Sequence, residues 1–257
     1  MNAICPLSQV PVRLEPSHKS EMVSQILFGE TYNILEEKGN WLLVSMHLDN
    51  YKGWIDRKQS MQVTDEFVGK VRHRSNHVLA DKTGEATCRS DGSKILITKG
   101  SHLPLYENGM FHLGHKLYST TSKVKIVHRK FVVSKVSSTA LAYLNVPYLW
   151  GGRSLTGIDC SGLVQVVYHI CGLDLPRDAS QQAQRGSAID FADEAMPGDL
   201  AFFDNLAGEI IHVGIIIGPD LILHASGQVR IDKFDHNGIF NTEQGTYTHS
   251  LRIIKRL

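Results

Sequence analysis

Residues 157–172, GIDCSGLVQVVYHICG, constrain the fold more tightly than any other stretch of this chain. Leu163, Val164, Val167 and Ile170 share one helical face, and Gly172 stands where a helix would stop. A helix with such a face has to be covered. The stretches that follow can cover it: LAFF, HVGIII, LILHAS and LRIIKR all read as strands. Upstream, SKVSSTALAYLNV reads as a helix behind serine caps and PYLWGG ends it. DASQQAQRG reads as a further short helix. Residues 133–257 are therefore expected to form an α+β domain, helices first and an antiparallel sheet after.

The first half has another texture. VPVRLEP, SEMVSQILFGETYNIL, NWLLVSMH and KGWIDRKQS are short strand-like pieces separated by turn signals at intervals near ten residues. That pattern predicts a small antiparallel barrel or sandwich over 1–62. Residues 63–132 repeat the style more loosely, in SKILITKGSHLPLYENGMFHLGHKLYSTT, and predict a second small β-module. A length of 257 residues suits two domains, or one with small attachments. The junction near 125–137, KIVHRKFVVSKVS, is not a Pro/Gly-rich linker, which favours docked modules over tethered ones.

Charge and cysteine usage narrow the function classes. The 27 Lys and Arg nearly cancel the 26 Asp and Glu, and a net charge of +1 gives no electrostatic reason to expect a nucleic-acid or membrane partner. No run approaches the roughly 20 apolar residues of a membrane span. Cys5, Cys88, Cys160 and Cys171 include no CxxC pair, so free thiols are expected. MNAICPLSQVPVR has neither the basic start nor the apolar run of a secretory signal. The expectation is a cytoplasmic protein, or a periplasmic one if a leader was removed.

Cys160 opens the strongest helix. A helix N-terminus carries unsatisfied N–H groups and partial positive charge, which favour a thiolate and can hold an oxyanion. The alternative is a small apolar residue starting a core helix. A nucleophilic cysteine needs a base, and the chain has 13 histidines. His212 and His224 stand out because they lie on consecutive apolar strands around the turn Gly218–Asp220. An odd loop or a bulge in that hairpin would put both on one face as diagonal neighbours, whereas a two-residue loop would put them on opposite faces. His212 would then take the thiol proton and His224 would orient its ring. One Cys and two His could also ligate zinc, but no fourth ligand or CxxC supports this, and neither metal nor cofactor is expected.

VPYLWGG, GIDCSGLVQVVY, LPRDASQQ, MPGDLAFF and IHVGIIIG…LILHAS together resemble, in order and spacing, the NlpC-type cysteine peptidases of bacterial cell-wall metabolism. The resemblance implies a papain-like α+β peptidase domain at 133–257, preceded by two SH3-like barrel modules at 1–62 and 63–132. Among such enzymes it is closest to the three-part type that cuts between γ-D-glutamate and a diamino acid. It implies Cys160 as nucleophile, His212 as base and His224 as the third, polar member. It further implies a substrate rim of Tyr148, Asp159 and Ser161. Asp178 would meet the free amino end of the peptide, with Arg177 and Ser180 beside it. An aromatic wall would come from Tyr51 or Trp54. Trp54 also fits a barrel core, Tyr148 and Trp150 also fit packing roles, and Asp178 also fits a helix cap. A closed cleft end would select peptides with a free L-Ala amine, hence a monomeric recycling enzyme for a murein tripeptide. The competing expectations are a hydrolase of intact wall with SH3-like anchors, an amidase or acyltransferase with the same triad, and a catalytically dead wall-binding protein.

Overall fold

The computed structural model describes residues 1–73, 76–127 and 130–257. Residues 74, 75, 128 and 129, which fall within the expected second module and the junction after it, lie outside the described residues. The chain divides into two compact units, 1–129 with 150–155, and 130–149 with 156–257.

In the first unit a seven-stranded sheet runs in the order Met22–Leu27, Gln9–Arg13, Lys52–Asp56, Trp41–Met46, Thr31–Lys38, Asn2–Ile4 and Met61–Gln62. All its pairings are antiparallel. Alternation decides what faces in: Val10 and Val12 are buried while Gln9, Pro11 and Arg13 are half-buried. The same rule corrects the barrel-core option for Trp54. Ile55 is fully buried in the core, and its neighbour Trp54 turns to the other face, half-buried. Tyr51 packs against that core.

A second core gathers Leu79, Ala86, Ile97, Phe111, Leu113 and Tyr118 together with Ile4 and Phe28. It is built on a four-stranded sheet, ordered Lys94–Thr98, Thr83–Cys88, Lys116–Ser119 and Met110–Leu113, and on the pair Asn76–Leu79 with Val124–Val127. Between the two sheets the chain forms a helix, Asp65–His73, where only β-structure was expected. Thr64 Oγ1 accepts from Phe67 N at 3.1 Å and Asp65 and Glu66 fill the first turn. This N-cap signal was present in the sequence.

Residues 150–155 are anchored in this first unit by Arg153. Its guanidinium meets Glu30 in a two-pronged ion pair at 2.8 and 2.9 Å and donates to Gln25 O at 2.7 Å. The pair is almost wholly buried, at 1% and 4% exposure. Burial alone would raise the Glu30 carboxyl, but Arg153 overrides it and holds it below its ordinary value of 4.5. A carboxyl depressed in the folded state stabilises the fold above its unfolded value, and that contribution is lost as pH falls through its folded value. Glu30→Gln leaves the Arg153 charge buried without its counter-ion and should therefore lower stability at neutral pH by about 3–5 kcal/mol. It should also flatten the fall in melting temperature expected of the parent below pH 4.5. Thermal melts of both proteins across acid pH check this.

The second unit is built on a closed sheet. Thr246–Arg256, Leu200–Asp204, Ile210–Gly218, Leu221–Ser226, Gln228–Asp235 and Gly238–Asn241 follow one another, and the last pairs back to the first. Ser187–Ile189 adds to the outside of Thr246–Arg256. Every pairing is antiparallel. The helices Val136–Leu141, Cys160–Ile170 and Ala179–Gln182 pack against one side, chiefly on Ile210–Gly218. All eleven residues of Cys160–Ile170 are buried, so the helix is covered all round and not on one face alone. Two of its polar side chains are tied down inside: Gln165 Nε2 donates to Leu175 O at 3.0 Å and the Tyr168 hydroxyl to Gly198 O. It ends as expected. Gly172 is left-handed at φ 95° and Leu173 N reaches back to Tyr168 O at 2.9 Å. Among the described residues, no helix is long and apolar enough to cross a membrane.

Candidate active site

Cys160 sits at the first helical position because Asp159 caps the helix. Asp159 is extended, and its Oδ1 accepts from Gly162 N at 2.7 Å. Arg177 locks the cap: Nη1 donates to Asp159 Oδ1 at 3.0 Å and to Ser161 Oγ at 2.7 Å, and Nη2 donates to Asp159 Oδ2. Gln182 Nε2 donates to Ser161 O at 3.0 Å. Cys160 thus sits beside a buried ionic cluster.

The thiol itself is 7% exposed. Burial first, and the Asp159 carboxylate second, push Cys160 up to about 11. The backbone N–H of Val213, the Arg177 charge and the Ser161 N–H act the other way and do not overcome them. The expected resting thiolate is therefore corrected. The helix terminus helps, but a buried sulfur next to a carboxylate stays protonated until a base takes its proton.

The two histidines are brought together by strand register. Gly214 pairs with His224, Ile215 with Leu223 and Ile216 with Ile222, but Gly218 then pairs with Leu221. The tight turn Pro219–Asp220 with a bulge at Ile217 gives the parity that a three-residue loop would have given. His212 and His224 accordingly share a face, and His212 Nε2 lies 2.9 Å from His224 Nδ1. Val213, whose N–H meets Cys160 Sγ, directly follows His212. Nε2 of His212 is thus committed to His224. Burial, with smaller contributions from His224 and His249, holds His212 well below its usual range, so it is a neutral acceptor at rest.

Gly214 makes this alignment possible. A Cβ there would stand 2.6 Å from Ile222 and 3.1 Å from His224 Cβ. Gly214→Ala should shift His224 and lower kcat about a hundredfold, the cost of a displacement near 1 Å, with KM changed little. Steady-state kinetics check it.

His249 adds an aromatic neighbour that the sequence did not single out. His212, His224 and His249 have ring nitrogens within 4.8 Å, the spacing of a metal-ligand set. The rings of His212 and His249, however, stack 4.2 Å apart at 27°. Their in-plane lone pairs run side by side and do not converge on one point. The arrangement is a hydrogen-bonded relay with a stacked support.

Residues 145–246 match the NlpC/P60 family, and residues 12–59 match the bacterial dipeptidyl-peptidase SH3 domain. A γ-D-glutamyl-L-lysine dipeptidyl-peptidase of Bacillus subtilis is 32% identical over 79% of this chain and 71% of its own. Dipeptidyl-peptidase 6 of Lysinibacillus sphaericus is 30% identical over 91% and 92%. The chain belongs to the NlpC/P60 family. A crystal structure of an NlpC/P60 family protein from Bacillus cereus shares the fold, with a TM-score of 0.84 at 20% identity, covering 100% of this chain and 99% of that one. The papain-like NlpC/P60 domain with an SH3-like domain before it is thereby established for this chain.

The remaining candidate residues of this NlpC/P60 chain fall into three groups. Tyr148 is half-buried near Cys160. Burial and then the charges of Cys160 and Asp159 push its hydroxyl up to about 12. Asp178 precedes the short helix Ala179–Gln182, but its carboxylate makes no capping bond to that helix, and Ser180 is exposed on its first turn. Tyr51, Trp54 and Trp150 belong to the first unit, where Trp150 Nε1 donates to Glu21.

Proposed function

We propose that this chain is a cysteine peptidase that cuts the γ-D-glutamyl–diamino acid bond of short murein peptides with a free N-terminal L-Ala, releasing L-Ala-γ-D-Glu. The observation that carries it is the Cys160–His212–His224 arrangement in a chain similar, over both halves, to a relative named for that bond and to a second named as a dipeptidyl-peptidase. His212 Nδ1 takes the Cys160 proton and the sulfur attacks the γ-carbonyl carbon. Backbone N–H groups at the start of the Cys160 helix face the oxyanion. The His212 imidazolium returns its proton to the departing diamino-acid nitrogen, leaving a thioester on Cys160. Water, deprotonated by His212, then releases the dipeptide.

Asp178 supplies the preference for a free amine. Its carboxylate does not cap its helix, and it follows Arg177, which fixes the nucleophile. A peptide ammonium would pair with it, whereas an acylated terminus would leave it without that partner. Tyr148 borders the scissile bond, with Asp159 and Ser161 on the acyl side and Arg177 and Ser180 beside Asp178. Residues 63–132 are the second SH3-like module. The enzyme works as a cytoplasmic monomer on free peptides in wall recycling.

The test is a mass-spectrometric digest of three substrates: L-Ala-γ-D-Glu-diaminopimelate, its N-acetylated form and intact murein. Cleavage of the free tripeptide alone is the expected result. Equal cleavage of the acetylated form, or release from murein, would overturn the amine preference and make the SH3-like modules wall anchors. Cleavage of none would leave an acyltransferase or a binding protein.

A further inference from the structure

The hydrogen-bond chain does not stop at His224. In the next strand, Gln228–Asp235, Arg230 pairs with His224 and Asp232 pairs with Ile222. Arg230, Asp232 and His224 therefore share a face, and Asp232 is the diagonal neighbour of His224 as His212 is on the other side. Asp232 Oδ2 lies 2.9 Å from His224 Nε2. The carboxylate is held from behind by Arg230, with Nε to Oδ2 at 2.7 Å and Nη2 to Oδ1 at 2.9 Å. Its side chain is 3% exposed. An aspartate buried this deeply needs a purpose for its charge.

We propose that Asp232, clamped by Arg230, is the positioning residue that sets the tautomers of both histidines and so leaves His212 Nδ1 unprotonated toward Cys160. This rests on Cys160 and His212 being nucleophile and base. The logic is one of donors and acceptors. An ionised carboxylate only accepts, so His224 must carry its proton on Nε2. Its Nδ1 then accepts, so His212 must donate from Nε2. The bare nitrogen of His212 is Nδ1, the one a general base needs. Without Asp232, His224 is free to protonate Nδ1 and donate to His212 Nε2. That would put the His212 proton on Nδ1, where it opposes the thiol. Among the described residues, His249 stacks on His212 and Glu243 lies 3.4 Å from Arg230.

The test uses the full chain with nitrogen-15 labelled histidine. In the parent at neutral pH, imidazole spectra should show both His212 and His224 protonated at Nε2. Protonation of either at Nδ1 overturns the proposal without any variant being made. Asp232→Ala should move His224, and with it His212, toward the Nδ1-protonated form. It should lower kcat by roughly 10²- to 10⁴-fold, the contribution of a general base, with KM little changed. Asp232→Asn should keep most of the activity and the parental tautomers. Arg230 Nε donates to the same oxygen as His224, so it holds the amide oxygen there as an acceptor. A merely structural role would lower the melting temperature of both variants and leave the tautomers alone. Unchanged tautomers in Asp232→Ala, or an Asn variant no better than the Ala one, would contradict the proposal. If the parent cleaves no peptide, the peptidase assignment fails, while the spectra still decide the tautomers.

Discussion

Cys160→Ala should leave a folded protein with no measurable hydrolysis of the tripeptide. The change removes one sulfur atom from a 7% exposed position. It breaks neither the Asp159 cap nor the Arg177 ion pair, since both are made by neighbouring residues. The melting temperature should therefore stay close to that of the parent. The chemistry has no substitute. Cys171 is buried just past the helix's C-terminal end beside Thr139, and Cys5 and Cys88 lie in the first unit. Loss of the nucleophile from a cooperating triad lowers kcat by roughly 10⁴- to 10⁶-fold. Rates of product formation by the parent and the variant, measured beside their thermal melts, check both parts.

Asp159→Ala should damage stability and activity together. The substitution removes the helix cap, which contributes about 1 kcal/mol. It also strands Arg177, whose side chain is 2% exposed, without its carboxylate. Breaking a buried pair by removing one partner costs about 3–5 kcal/mol. A second change, Arg177→Met, takes away the stranded charge and should recover part of the stability, because the two residues act as one unit. Activity should not return with it, since the start of the Cys160 helix and Ser161 lose the groups that hold them. Denaturant unfolding of the two single variants and the double variant gives the coupling energy directly.

Much of the second unit was legible in its sequence, for identifiable reasons. The Cys160 helix announced itself by apolar spacing and a terminal glycine, and the hairpin of His212 and His224 by alternation and a turn. The need for an odd loop or a bulge followed from strand parity alone, and the bulge at Ile217 meets it. Asp232 was hidden because its strand inverts the usual signal. In QVRIDKFD, Ile231 is the residue expected inside and Asp232 the one expected outside, yet Ile231 is exposed and Asp232 buried. A closed sheet with a polar relay on one face permits that inversion, and no local pattern reveals it. The thiol's state was misjudged for a similar reason. A helix terminus is visible in sequence, but the desolvation of Cys160 depends on strands some fifty residues away. Residues 150–155 are a third case. They sit inside the motif VPYLWGG and its sequel, but Arg153 finds its carboxylate at Glu30.

The central claim is that acyl transfer passes through Cys160. The most direct measurement is peptide mapping by mass spectrometry of protein acid-quenched during its first turnovers on L-Ala-γ-D-Glu-diaminopimelate. The predicted result is an L-Ala-γ-D-Glu group in thioester linkage on the peptide carrying Cys160. Unmodified Cys160 throughout a burst of product release, or the acyl group on any other residue, would contradict it.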